Sequence, residues 1–147
     1  TVLFGGYSGG GVYFGDTWEW DGRAWTQRVV SGPSARGRHS MAFDAARGVT
    51  VLFGGLNNGG RNRETWEWNG TAWTQRSDTG PSGRYSHAMA YDSSRGVTVL
   101  FGGRAGSVRN GETWEWNGAA WTRRVVSGPS PRYGHAMAYD SARSVTV

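Results

Sequence analysis

Thr98-Val99-Leu100-Phe101-Gly102-Gly103 is the stretch that decides how this chain folds. Four β-prone residues end on two glycines, where no side chain prevents the backbone from bending or lying close against a neighbour. The same six residues stand at Thr1–Gly6 and Thr50–Gly55, and a fourth copy begins at Thr146-Val147. The residues downstream of each copy also return in order. Asp16–Gly22, Glu64–Gly70 and Glu112–Gly118 carry Thr-Trp-Glu-Trp; then come Ala-Trp-Thr, Gly-Pro-Ser, an Arg three residues before a His, and a Met-Ala-aromatic-Asp segment. The chain is therefore one array of repeats at 1–49, 50–97 and 98–145.

Within a repeat the pattern predicts four short strands. In the second, His87–Tyr91 alternates large with small residues, and Asp92–Gly96 supplies turn chemistry with Gly at a position suited to positive φ. Val97–Phe101 comes next as a strand, and then a polar, Gly-rich loop. Thr113–Trp116 is the third strand, Asn117-Gly118 signals a tight hairpin, and Trp121–Arg123 returns. Fixed self-similarity near this period, with four strands per unit, is the signature of a propeller array. The second and third repeats differ mainly at Leu56–Arg63 against Arg104–Gly111 and at Ser77–Thr79 against Val125–Ser127. The extra residue of the first repeat falls between Tyr7 and Gly15.

Composition agrees. Among 147 residues there are 25 Gly and 9 Trp, as expected of an all-β chain with many turns and bulky aromatic packing. With no Cys, disulfides, thiolate metal sites and Cys nucleophiles are excluded. The net charge of +5 comes from Arg alone, spread at recurring positions through each repeat without forming a run, so nucleic acid is not an expected partner. No apolar run approaches membrane-spanning length and nothing resembles a signal peptide; the sequence reads as soluble, its location unspecified.

A double glycine after an apolar strand, followed by spaced Trp residues, resembles the kelch motif. Arg36–His39, Arg84–His87 and Arg132–His135 are similar to the stretch that opens the innermost kelch strand. The resemblance covers the whole chain and is nearest to bacterial-type repeats. It implies a kelch-like β-propeller with three four-stranded blades. Nothing within these 147 residues reads as an adaptor domain, so a role in ubiquitin transfer is not implied. Relatives of this kind include copper oxidases and iron-dependent specifier proteins, but the oxidase cofactor derives from a Cys that is absent here.

Propellers have about four to eight blades, so three cover only part of a circle and leave Trp-rich faces open. The sequence also starts on a second strand (Thr1–Phe4) and finishes on a first strand (His135–Tyr139), which splits one blade between the two ends. Two copies, each lending its last strand to the other, would close an isologous six-bladed ring, with Thr146-Val147 redundant to Thr1-Val2. The expected partner is therefore a second copy of the chain. The alternative is that the array is a slice of a longer propeller.

Candidate sites fall in two groups. Arg36, His39, Arg84, His87, Arg132 and His135 recur just before the inner strands. They are expected either to ring a channel mouth and hold an anion, or to hydrogen-bond loop backbone and a neighbouring carboxylate. In a closed pair of chains the six histidines, three from each, are spaced too far apart to make a metal site. The long loops share one face, where Tyr7, Tyr13, Phe14, Asn57, Asn58, Arg61, Arg104 and Arg109 could hold a protein or glycan, or simply be solvated. Glu19, Glu67 and Glu115 are expected to pair with Arg between blades, and Asp44, Asp92 and Asp140 to cap turns. Ser144 replaces the turn glycine seen at Gly48 and Gly96. The Trp set reads as inter-blade packing, with a stacking platform as the alternative. No catalytic residue, cofactor or metal is expected, because active sites need unlike groups converging on one point. The leading expectation is a self-assembling, non-catalytic scaffold; the alternative is a ligand-binding propeller.

Overall fold

The computed structural model describes all 147 residues, and every regular element in it is a strand. There is no helix, and so none long and apolar enough to cross a membrane. The first sheet is three-stranded, from β1 (Val2–Gly9), β2 (Val12–Trp20) and β3 (Trp25–Arg28). Next, β4 (Ser40–Asp44) and β5 (Val49–Phe53) pair, then a two-residue hairpin, β6 (Leu56–Asn57) with β7 (Gly60–Arg61), stands apart. β8 (Thr65–Trp68) and β9 (Trp73–Ser77) complete a four-stranded sheet in the order β4-β5-β8-β9. The third unit repeats this with β10 (Ala88–Asp92), β11 (Val97–Phe101), the hairpin β12 (Arg104–Ala105) and β13 (Val108–Arg109), β14 (Thr113–Trp116) and β15 (Trp121–Arg124). A last hairpin joins β16 (Tyr139–Asp140) to β17 (Val145–Thr146). All pairings are antiparallel.

Register repeats between units: Ala42 faces Val51 across β4 and β5 as Ala90 faces Val99 across β10 and β11. Neighbouring sheets pack together through their apolar faces. Ala42, Val51 and Phe53 of the second sheet meet Met89, Leu100 and Trp116 of the third. Phe4 of the first sheet meets Leu52, Trp68 and Trp73 of the second. Aromatic edges fix the approach, with Phe4 against Trp73 at 5.3 Å and Phe53 against Trp121 at 5.2 Å between ring centres. The inner strands β4 and β10 lie side by side.

The turns depart from expectation at one place. Asn117-Gly118 does not form a two-residue hairpin: Trp116 faces Trp121, so four residues make the connection. The Asn117 side chain organises it, its Oδ1 accepting from the N–H groups of Ala119 and Ala120, both at 2.9 Å. Asn69 and Asp21 do the same in the other units. The Asp turns match their reading: Asp92 Oδ1 accepts from Ser94 and Arg95 N–H at 3.1 Å each. Ser144 takes φ +55°, beside +67° at Gly48 and +66° at Gly96, so a serine sits in a backbone well that suits glycine.

Candidate functional site

The sheets are held together by three recurring side-chain bridges, and their geometry defines what is left open at the two ends of the array. The first uses indoles. Trp68 Nε1 donates to Glu19 Oε1 of the preceding sheet at 2.9 Å, and Trp116 Nε1 to Glu67 Oε1 at 3.0 Å. The glutamates are thus bridged between sheets by Trp, which corrects the expected inter-sheet Arg. Their Arg partners come from their own sheet: Arg28 for Glu19, Arg47 and Arg76 for Glu67, Arg95 and Arg124 for Glu115. In the second bridge Trp73 Nε1 donates to Thr17 Oγ1 at 2.9 Å and Trp121 Nε1 to Thr65 Oγ1 at 2.8 Å. These contacts put Trp68, Trp73, Trp116 and Trp121 between sheets, as packing groups and not as a stacking platform.

The third bridge uses the Arg of each linking loop. The backbone of Arg36 is clamped by the first sheet, its N–H donating to Phe14 O and its C=O accepting from Gly6 N–H. Its side chain crosses to the second, where Nη1 donates to Gly54 O at 3.2 Å and Nη2 to Glu64 Oε2 at 2.6 Å. Arg84 repeats this with Gly102 O and Glu112. Both guanidiniums are fully buried. Arg36 and Arg84 therefore do not line a channel mouth to receive an anion, because the Gly-Pro-Ser loops fold over them and an internal carboxylate already neutralises each. Burial draws their pKa down and the Glu opposes it.

The histidines are packing groups as well. His39, His87 and His135 stand edge-on to Phe4, Phe53 and Phe101 of the preceding sheet, with ring centres 5.7, 5.5 and 5.6 Å apart. Burial, reinforced by the neighbouring Arg, pushes the pKa of His39 down to about 4 and that of His87 to about 3. His135 is shifted down for the same reason. No three His, Cys, Asp or Glu side chains cluster where a metal ion could be held.

At the ends these bridges are half-made. Arg132 binds only Ser130 of its own loop, through Nε and Nη2, and meets no carboxylate. Asp16, which stands where Glu64 and Glu112 stand in their repeats, holds Trp18 Nε1 but no Arg. Trp25 is 45% exposed, whereas its counterpart Trp73 is 7% exposed. Glu115 accepts from no indole, and Trp20, the counterpart of Trp68 and Trp116, donates to no carboxylate. Beside β1 a groove of about 570 Å³, lined among others by Thr1, Val2, Met41, Ala42 and Phe43, lies where β10 lies in the third sheet.

On the long-loop face Tyr7 and Tyr13 face each other across the extended β1–β2 hairpin, rings 4.9 Å apart, and Phe14 is exposed next to them. Asn57 shapes its own turn by accepting from Gly59 N–H and donates to Ser34 Oγ; Asn58 is exposed. Arg61, Arg104 and Arg109 come together around the β12–β13 hairpin. The sequence reading missed Asp16, Glu64 and Glu112, although an acid recurs 28 residues after Arg36 and after Arg84. It also missed Tyr85 and Tyr133, over which Arg side chains lie. Compared with protein families and with curated proteins, the chain finds no match.

Proposed function

We propose that this chain is half of a kelch-like β-propeller and that its function is assembly: two copies close a six-bladed, non-catalytic ring. The supporting observation is that the open groups at one end are the missing partners of those at the other. Carrying the internal bridges forward by one repeat brings Arg132 to Gly5 O and Asp16 of the second copy. It also brings Trp20 to Glu115, Trp25 to Thr113 and Arg143 to Glu19. The inner-strand segment 136–140 fills the groove beside β1, displacing Thr146-Val147 in favour of the partner's Thr1-Val2. A further repeat of the same kind within a longer chain would meet the same edges by the same contacts.

The pairing is testable by charge exchange. Arg132→Asp and Asp16→Arg each place like charges at the junction and should abolish association, measured as solution mass. The double variant restores an opposite pair at both junctions and should recover it. An unchanged mass in Arg132→Asp would contradict the proposed junction.

A further inference from the structure

The buried Arg36 and Arg84 each meet a carboxylate, and so do Arg47 and Arg95 in their turns. Around the third repeat's hairpin that pattern breaks. Arg104 and Arg109 are paired directly across β12 and β13, an unfavourable placing for like charges. Both guanidiniums lie over the ring of Tyr133, at 5.4 and 5.8 Å from its centre. Arg104 Nε donates to Gly106 O at 2.8 Å, which fixes its fork and leaves its terminal N–H groups free. Arg61 reaches in from β7 of the second repeat: a Cβ built on Gly106 would lie 2.7 Å from its Nη1. Gly106 thus serves twice, by adopting φ +68° and by leaving room for Arg61. None of the three guanidiniums forms a salt bridge.

We propose that Arg61, Arg104 and Arg109, backed by Tyr133, form a binding site for a tetrahedral oxyanion, the phosphate or sulfate ester group of a larger ligand. Three guanidinium forks held without a counter-charge repel one another. A group with several acceptor oxygens and two negative charges removes that repulsion and takes two or more charge-assisted hydrogen bonds at once. The Tyr133 face holds two of the forks by cation–π attraction while they are empty. Every residue of the site comes from one chain, so the site stands or falls independently of ring closure.

Inorganic phosphate and inorganic sulfate, titrated in separate arms into ¹⁵N-labelled protein at constant ionic strength, test this. The Arg Nε–H resonances report it directly. The expected result is saturable movement of the Arg61, Arg104 and Arg109 signals with one shared Kd, while Arg23, on the opposite face, stays still. The arm with the tighter Kd identifies the ester. The Arg61→Gln/Arg109→Gln variant, whose replaced side chains make no hydrogen bond in the fold, should keep the dispersed spectrum and bind about tenfold more weakly or worse. Shifts that are linear, shared by Arg23, or unchanged in the double variant would overturn the proposal.

Discussion

The indole of Trp116 donates to Glu67 of the preceding sheet at 3.0 Å, and that carboxylate also receives Arg47 and Arg76 of its own sheet. One buried acid therefore ties two sheets together and holds the β4–β5 turn and strand β9 to the same point. Trp116→Phe keeps most of the packing but removes the donor. Removal of a hydrogen bond to a charged group should lower stability by about 1.5–3 kcal/mol, read as the shift in a urea midpoint. A loss below about 0.5 kcal/mol would mean that the bridge contributes nothing beyond packing.

Arg84 and Arg132 occupy the same place in successive repeats but in opposite circumstances. Arg84 is fully buried against Glu112 and Gly102 O, so Arg84→Met removes the main partner of the carboxylate and leaves Gly102 O unpaired, and should destabilise the chain by about 2–4 kcal/mol. Arg84→Lys should recover only part of that, because an ammonium cannot reach both acceptors in the planar fork geometry. Arg132 is exposed. Arg132→Ala should change the stability of a single chain by less than about 0.5 kcal/mol, and its consequence should be confined to association. Denaturation at low and at high protein concentration separates the two effects.

Three non-glycine residues, Arg38, Ser86 and Ser144, hold φ between +53° and +57°. Gly134 holds the position equivalent to Arg38 and Ser86 at +70°. Ser86→Gly and Ser144→Gly should each raise stability, and Gly134→Ser should lower it, by about 1 kcal/mol. Thermal melting under one buffer condition checks the signs. The three opposite signs would show that these loops relax at no energetic penalty.

Acid should destabilise the fold in two stages. His39 and His87 are neutral in the fold with pKa values of about 4 and 3, against 6.5 when exposed. Below pH 6.5 the unfolded chain binds protons that the folded chain refuses, so stability falls with pH, by about 1.4 kcal/mol per unit for each histidine. The effect should be complete only near pH 4 to 3. As pH falls through the ordinary carboxylate range a second loss begins, because the unfolded chain then binds protons at Glu64, Glu112 and Asp92, which the fold, holding each low with an arginine, takes up only at lower pH. His87→Gln should flatten the first stage by about half, as measured by urea midpoints between pH 6.5 and 4.5. An unchanged slope would contradict the burial of that ring in neutral form.

Strand positions were legible because the repeat states them three times: Val97–Phe101 and Thr113–Trp116 are strands over the lengths read from sequence. Two kinds of feature were not. The two-residue hairpins β6–β7 and β12–β13 have too little alternation to show a period, and lie where the repeats differ most. The role of the Arg before each His depends on an acid 28 residues onward, which becomes a neighbour only once the sheets stack. For the same reason Glu67 suggested an inter-sheet ion pair with Arg, whereas its inter-sheet partner is the Trp116 indole. The Asn turn deceived because Asn-Gly favours a two-residue hairpin only when the Asn side chain does not cap a wider one.

The proposed self-association rests on matched open edges, and sedimentation equilibrium at micromolar concentration tests it most directly. Closure by two copies predicts a single species of twice 16.0 kDa, with dissociation and unfolding coupled on dilution. A folded species of 16.0 kDa that keeps its stability on dilution would contradict it.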